Sequence, residues 1–206
     1  RFLCSDILPT SIVAQMTSKE VANVRKLEKL IASDPSSVND ILSLKESLIA
    51  GKSDVRLASL HALRRIFVAF IEAGRLTLTS DKAEKKVNDY KVWLQEQLQS
   101  YQEILCLAIK SGDTLLIAPS IRTIIEFTKR EWLVRQDASS ESRKAKFGIR
   151  IYSMLINSLL SSKNDLDMDD LLMMRGEVFN HPDCAYYTWI LIKRSLRDAK
   201  HTFALS

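Results

Sequence analysis

The stretch from Ser53 to Phe67 restricts the possible folds of this chain more than any other part of it. Its pattern predicts a helix that begins after a turn at Gly51, continues to about Ala73 and ends at Gly74. On a helical wheel the polar residues occupy one narrow face: Asp54, His61, Arg64, Arg65 and Glu72. Apolar residues cover the rest, an arc wider than the stripe of about 100° that a helix on one core needs. The pattern therefore predicts a helix buried by neighbours on two sides, like the inner helix of an α-solenoid.

Composition also favours a helical protein. The 206 residues include only five Gly and four Pro, too few for the frequent tight turns of an all-β fold. The hydrophobic content of 46% and the charged content of 27% are ordinary for a folded chain with a core. A net charge of +5 is compatible with a nucleic-acid neighbour but does not demand one.

The cysteines indicate a reducing compartment, the cytosol or the nucleus. Cys4, Cys106 and Cys184 are odd in number and far apart, and no CxxC motif occurs, so neither a disulfide framework nor a zinc site is predicted. Cys106 and Cys184 fall in apolar helical patterns, where a buried, reduced thiol is expected. Charged pairs such as Arg64-Arg65 interrupt the longest apolar runs, so we predict no membrane-spanning segment.

Helical spacing recurs along the whole chain. It predicts further helices over residues 18–32, 38–50, 87–110, 116–130, 147–160, 168–179 and 185–200. In the last of these, five residues are predicted to face inward: Tyr186, Trp189, Ile190, Ile192 and Leu196. Residues 136–146 are polar and lack any period, which predicts a mobile loop. Three long apolar helices follow polar turns that contain Asp54, Asp113 and Asp183, which indicates a weak repeat of stacked units.

The pattern Asp54-Val55-Arg56-Leu57-Ala58, followed by further apolar residues to Ile66, resembles the second helix of a HEAT repeat. This resemblance implies that Asp54 and Arg56 link successive repeats through hydrogen bonds. The predicted fold is therefore all-α, an irregular HEAT-like helical repeat (α-solenoid), forming a single domain over residues 1–206. The chain begins with Arg1 and stops at Ser206 just after a helical pattern, so we expect it to be a fragment of a longer protein.

A wider set of segments carries a second resemblance. These segments are the helix pair over 38–73, Val92-Trp93-Leu94 with Tyr101, and Leu171-Leu172 followed by Val178-Phe179-Asn180-His181-Pro182-Asp183 and Tyr186-Tyr187. They are similar to the N-terminal part of the nucleolar complex protein four branch of the CCAAT-binding-factor (Mak21-like) family of ribosome-assembly factors.

The resemblance implies a scaffold in the nucleus and nucleolus that has no catalytic residues, cofactor or small-molecule substrate. It implies pairing with nucleolar protein fourteen in the small-subunit processome, and a role in small-subunit assembly and rRNA maturation within the pre-ribosomal particle. The alternative is another HEAT-type protein–protein adaptor, for instance in nuclear transport or phosphatase scaffolding.

Basic residues form two groups that are candidates for contact with RNA or a partner. The second group, which we call the basic cluster, surrounds the predicted loop: Lys129, Arg130, Arg135, Arg143, Lys144, Lys146 and Arg150. Positive charges at phosphate spacing suffice for RNA contact, whereas Glu131 and Glu141 are compatible with a solvated, balanced surface. The first group has the same two interpretations: Arg64, Arg65, Arg75, Lys82, Lys85, Lys86 and Lys91.

No motif predicts catalysis or metal binding. A Gly-rich phosphate loop, HExxH and a nucleophile elbow are all missing from the sequence. The acidic run from Asp165 to Asp170 has no Gly at the sixth position of a calcium loop. His181-Pro182-Asp183 matches the tripeptide of J-domain co-chaperones, but a helix start, with Pro in the first turn and Asp near the positive end of the dipole, is favoured.

Overall fold

The computed structural model describes residues 10–77, 85–134, 148–162, 176 and 182–204. Within these ranges every regular element is helical, which confirms the predicted all-α helical-repeat class. The elements are listed in chain order: α1 (Thr10–Ser33), a 3₁₀ helix (Pro35–Asp40), α2 (Ile41–Ala50), α3 (Ser53–Glu72), α4 (Lys85–Ser111), α5 (Ile117–Val134), α6 (Ile149–Leu160) and α7 (Pro182–Ala204). The predicted loop at 136–146 and the predicted helix at 168–179 lie outside the described residues, apart from position 176.

The chain divides into two compact units, Arg1–Phe67 and Val68–Ser206, and the division falls within α3. In the first unit α1 packs against α2 and the 3₁₀ helix. Their shared core is apolar: Val24, Ile31, Val38, Ile41, Leu44 and Leu48. Asp34 caps the 3₁₀ helix, because its carboxylate accepts hydrogen bonds from the Ser36 backbone N–H at 2.9 Å and the Ser36 hydroxyl at 2.6 Å.

In the second unit α4, α5 and α6 pack against one another, and α7 packs against α6. In α4 the helical spacing predicts a stripe that is buried from Leu94 to Ala108, whereas Val87 and Tyr90 at its start are exposed. The helix predicted over 116–130 has an apolar face by its spacing, and every residue of that face is buried: Leu116, Ile117, Ile121, Ile124, Ile125 and Phe127. Tyr101 of α4 meets Phe127 edge to face, with ring centroids 6.0 Å apart.

Two glycines end helices in the same way. Gly74 after α3 and Gly112 after α4 have φ values of 67° and 72°, the left-handed region that side chains with a Cβ rarely adopt. The following residues close the ends, since the Arg75 N–H donates to the Phe70 carbonyl at 2.9 Å and the Asp113 N–H to the Ala108 carbonyl at 3.2 Å. Both breaks were predicted from the sequence.

Most of the wide apolar arc of α3 is buried, whereas Ala58 is half-buried and Ala69 is exposed. Its enclosed apolar residues are Val55, Leu60, Ala62, Leu63, Ile66, Phe67, Phe70 and Ile71. At 100° per residue these positions cover about 180° of the helix circumference, well beyond one stripe. On the polar face Asp54, Arg65 and Glu72 are exposed, whereas His61 is half-buried.

The inward face predicted for α7 is wrong at four of its five positions, and the fifth residue, Ile192, is half-buried. Tyr186 is 61% exposed, Trp189 59%, Ile190 39% and Leu196 60%. The reason is that α7 is apolar on two sides, and the side that packs on α6 is the one that contains Cys184, which is buried.

Helix α1 also begins earlier than predicted, at Thr10 rather than Ser18. Among the described residues, no helix is both long enough and apolar enough to cross a membrane.

Candidate functional site

The basic cluster is described at three of its seven positions. Lys129 and Arg130 lie in the C-terminal half of α5, and Arg150 lies in the first turn of α6, which packs against α5. The other four positions, Arg135, Arg143, Lys144 and Lys146, lie outside the described residues.

Arg130 is paired with carboxylates of the protein itself. Its Nε atom lies 3.2 Å from Glu72 Oε1, and its Nη1 atom lies 3.3 Å from Glu126 Oε1. Nη1 also donates to the Glu126 carbonyl at 3.4 Å. These contacts tie α5 to the C-terminal turn of α3. The guanidinium therefore has a structural role, and a phosphate would have to compete with two carboxylates for it.

Lys129 and Arg150 are both exposed. Arg150 Nη2 donates to Gln102 Oε1 of α4 at 3.3 Å, and its other terminal nitrogen lies 3.8 Å from Met154 Sδ. Burial raises the pKa of the Cys184 thiol, and the charge of Lys129 is among the smaller effects that oppose this shift. The Lys129 ammonium is thus close enough to α7 to act on it electrostatically.

Arg56 lies at the junction of α2 and α3. Its Nε atom donates to the Leu48 carbonyl at 3.0 Å, one of the last four carbonyls of α2, which have no partner within their own helix. Asp54 is exposed in the first turn of α3, where a negative charge is favourable. The contact of Arg56 is with the helix directly before its own, and a role of Asp54 and Arg56 in stacking successive repeats stays a prediction.

The first basic group contains two arginines with partners inside their own unit. Arg65 forms a two-pronged ion pair with Glu28 of α1, with Nη2 to Oε2 at 2.8 Å, and this hydrogen bonding raises the pKa of Arg65. Arg75 lies over the Phe70 ring, 4.9 Å from its centroid. Lys82 and the side chains of Lys85 and Lys86 lie outside the described residues.

The two thiols that the structure describes are protonated at neutral pH. Cys106 and Cys184 are free and buried, and burial raises the pKa of each. Cys106 lines a groove of about 400 Å³ between α4 and α6, together with Glu103, Lys110 and Asn157 among others. The part of the chain that the structure describes contains no group of three or more His, Cys, Asp or Glu side chains able to hold a metal ion. Helix α7 begins at Pro182, and His181 lies outside the described residues.

A family model described as nucleolar complex protein 4-like, TPR repeats, matches residues 14–201. The chain belongs to this family. Membership indicates a role in nucleolar ribosome biogenesis and a repeat fold of the kind that serves as a protein-interaction scaffold. The family description gives the repeats as TPR, where the sequence pattern suggested HEAT. No curated protein and no solved structure matches the chain.

Sequence reasoning missed one surface, the exposed side of α7. Its signal was present, because residues 186–197 contain three cations and no carboxylate beside their aromatic and aliphatic residues. Sequence reasoning also left Arg130 among the candidate contacts. The Glu126 pair at i−4 was visible in the sequence, but Glu72 lies 58 positions away and could be found only in the structure.

Proposed function

We propose that this chain is a non-catalytic scaffold in the assembly of the small ribosomal subunit. In this role it joins the small-subunit processome in the nucleolus, pairs with nucleolar protein fourteen and supports maturation of the small-subunit rRNA. The observation that carries the proposal is the match of the nucleolar complex protein 4-like family model to residues 14–201. The other adaptor roles that a helical repeat can serve, in transport or phosphatase scaffolding, have no observation in their favour.

We further propose that the basic cluster contacts RNA phosphates in the precursor particle. Lys129 and Arg150 support this proposal because both are exposed on the packed pair α5 and α6. Arg143, Lys144 and Lys146 follow closely in sequence before α6 and add positive charge. Arg130 is assigned a structural role instead, because Glu72 and Glu126 hold its guanidinium.

The scaffold role is tested by purifying the tagged full-length protein from cells. We expect small-subunit precursor RNA and nucleolar protein fourteen to co-purify with it, and its depletion to cause small-subunit rRNA precursors to accumulate. Co-purification of transport factors or phosphatase subunits, with normal levels of rRNA precursors, would contradict the proposal.

The RNA contact is tested by charge reversal in the full-length protein with a matched control. The variant Lys129→Glu/Lys144→Glu/Lys146→Glu is compared with Lys19→Glu/Lys26→Glu/Lys29→Glu, which changes the net charge equally at exposed lysines of α1. Binding to single-stranded rRNA fragments is measured across a salt titration. We expect only the first variant to bind more weakly. The slope of the logarithm of its affinity against the logarithm of the salt concentration should be smaller by about 2, since each lost phosphate contact contributes about 0.7. Equal effects of the two variants would reject a specific role of the cluster.

A further inference from the structure

The exposed side of α7 carries a continuous strip of large side chains. Tyr186, Trp189, Lys193 and Leu196 recur at spacings of three and four residues, which places them in one line along the helix, and Ile190 lies beside this line. All five side chains are exposed. We call these five residues the α7 strip. At 1.5 Å per residue it is about 15 Å long, close to three helical turns.

Between residues 186 and 197 the charged side chains of α7 are all positive. Lys193 lies within the strip, with its Nζ atom 4.9 Å from the centroid of the Trp189 ring. Arg194 and Arg197 are exposed next to it, and residues 186–197 contain no carboxylate. The surface therefore combines exposed apolar side chains with three cations, one of which, Lys193, lies within the strip.

The opposite side of α7 is held firmly by α6. The Tyr152 hydroxyl of α6 lies 2.6 Å from Thr188 Oγ1 and 3.2 Å from the Cys184 carbonyl oxygen, and the Thr188 hydroxyl donates to the same carbonyl at 2.7 Å. Burial raises the pKa of Tyr152 to about 12, so this phenol stays protonated and able to donate. These contacts orient α7 so that the strip faces away from α6, and preorganisation of this kind lowers the cost of binding.

We propose that the α7 strip binds an acidic amphipathic helix of a protein partner. The apolar members of the strip are spread over nearly three turns, and they match the apolar face of a partner helix with anchors at i, i+3 and i+7. Lys193, Arg194 and Arg197 select carboxylates on that helix, and exposed Trp and Tyr are the residue types that contribute most binding energy at interfaces. Ile190 and Leu196 present aliphatic surface with no ring for base stacking, so the strip favours a protein over RNA. This inference rests on the proposed scaffold role, for which it names a class of partner.

The test uses fluorescence anisotropy with the full-length protein and three labelled probes. The first is a designed helical peptide of about 20 residues with Leu at i, i+3, i+4 and i+7 and Glu on its flanks. The second is the same peptide with Lys in place of every Glu, and the third is single-stranded oligouridylate of similar length. We expect the Glu peptide to bind at least about tenfold more tightly than the Lys peptide, and its affinity to fall with salt.

Variants show whether binding occurs on the α7 strip. Trp189→Ser and Leu196→Ser are each expected to weaken binding of the Glu peptide at least about tenfold. Ile49→Ser, at a similarly exposed position on α2, should have no effect on this binding. The triple reversal Lys193→Glu/Arg194→Glu/Arg197→Glu should reverse the preference toward the Lys peptide. Circular dichroism of each variant serves as a check on folding, and the two serine variants should also keep their affinity for oligouridylate.

Three results would overturn the proposal. They are equal binding of the Glu and Lys peptides, displacement of the Glu peptide by oligouridylate in a Trp189-dependent manner, and self-association in sedimentation that Leu196→Ser abolishes. These measurements need only purified protein and probes. A failure of the proposed scaffold role would instead appear as a loss of co-purification with small-subunit precursors while the peptide preference remains.

Discussion

Helices α3 and α7 look alike in sequence but differ in what covers them. Each has an aspartate in its first turn, Asp54 in α3 and Asp183 in α7, and each is apolar on more than one side. In α3 eight apolar residues are buried, and ion pairs at Arg65 and Glu72 connect its polar face to other helices. In α7 Cys184 is the one buried residue between positions 182 and 197, and the aromatic residues are exposed.

The difference shows that an apolar helix face can make contacts with a neighbour, but its presence in the sequence does not mean that a neighbour covers it. A second apolar side costs nothing in helix formation, since propensity is set mainly by the backbone and local side chains. Whether that side is buried depends on segments distant in sequence or on other molecules. A large exposed apolar surface next to a buried one is typical of interaction sites. The two helices therefore differ in role, because α3 contributes to the core whereas α7 carries the face that we propose as a binding surface.

The largest expected effect is a difference in the free energy of unfolding between two Leu→Ala variants, one in each helix. Leu63 of α3 is fully buried, so Leu63→Ala should lower the free energy of unfolding by about 2–5 kcal/mol through lost burial and a cavity. Leu196 of α7 is 60% exposed, so Leu196→Ala should change it by less than about 0.5 kcal/mol. Urea denaturation of both variants measures the contrast, and similar losses in the two would show that the α7 face is covered within the protein.

A smaller effect is expected from the contact that anchors α7 to α6. Tyr152→Phe removes the hydroxyl that reaches Thr188 and the Cys184 carbonyl, and it should cost about 1 kcal/mol. The Thr188 hydroxyl still donates to that carbonyl, which limits the loss. Hydrogen exchange should show faster exchange of α7 amides and no change in α3. Faster exchange in α3 as well would mean that the contact supports the whole chain rather than α7.

The smallest expected effect is the contribution of His61, in α3, to the pH dependence of stability. Burial, together with the positive charges of Arg64 and Arg65, lowers the pKa of His61 below its ordinary value of 6.5. The folded protein thus binds fewer protons here than the unfolded chain, and stability should fall as pH drops through 6.5 toward the folded pKa. The His61 Nδ1 atom is enclosed without a hydrogen-bond partner in the described structure, so a proton there would lack an acceptor. His61→Gln should flatten the dependence of Tm on pH between about 7.5 and 5.5, and an unchanged slope would contradict this assignment.

The sequence predicted most of the fold because most helices have a single apolar stripe. In α5 one stripe from Leu116 to Phe127 determines the buried side, and the structure agrees with it at each predicted position. In α7 two apolar sides compete, and the packing on α6, which includes the Tyr152 contact, decides between them. The helix end at Gly74 was predictable because a positive φ favours glycine in any context.

The candidate site was predictable only in part, and for a related reason. Charge is visible in the sequence, so the cations of the basic cluster could be found there. Pairing over long distances is not visible, so the engagement of Arg130 by Glu72 was missed. The same limit hid the α7 strip, since exposure of Trp189 and Leu196 is a property of the packed chain.

Hydroxyl-radical footprinting of the full-length protein, alone and within purified small-subunit precursor particles, tests the central claim most directly. Tyr186 and Trp189 should react strongly in the free protein and become protected in the particle, whereas Phe67 and Tyr101, which are fully buried, should be unreactive in both states. Protection of Tyr186 and Trp189 in the free protein, or equal reactivity in both states, would contradict the claim that α3 builds the fold and α7 presents an open binding face.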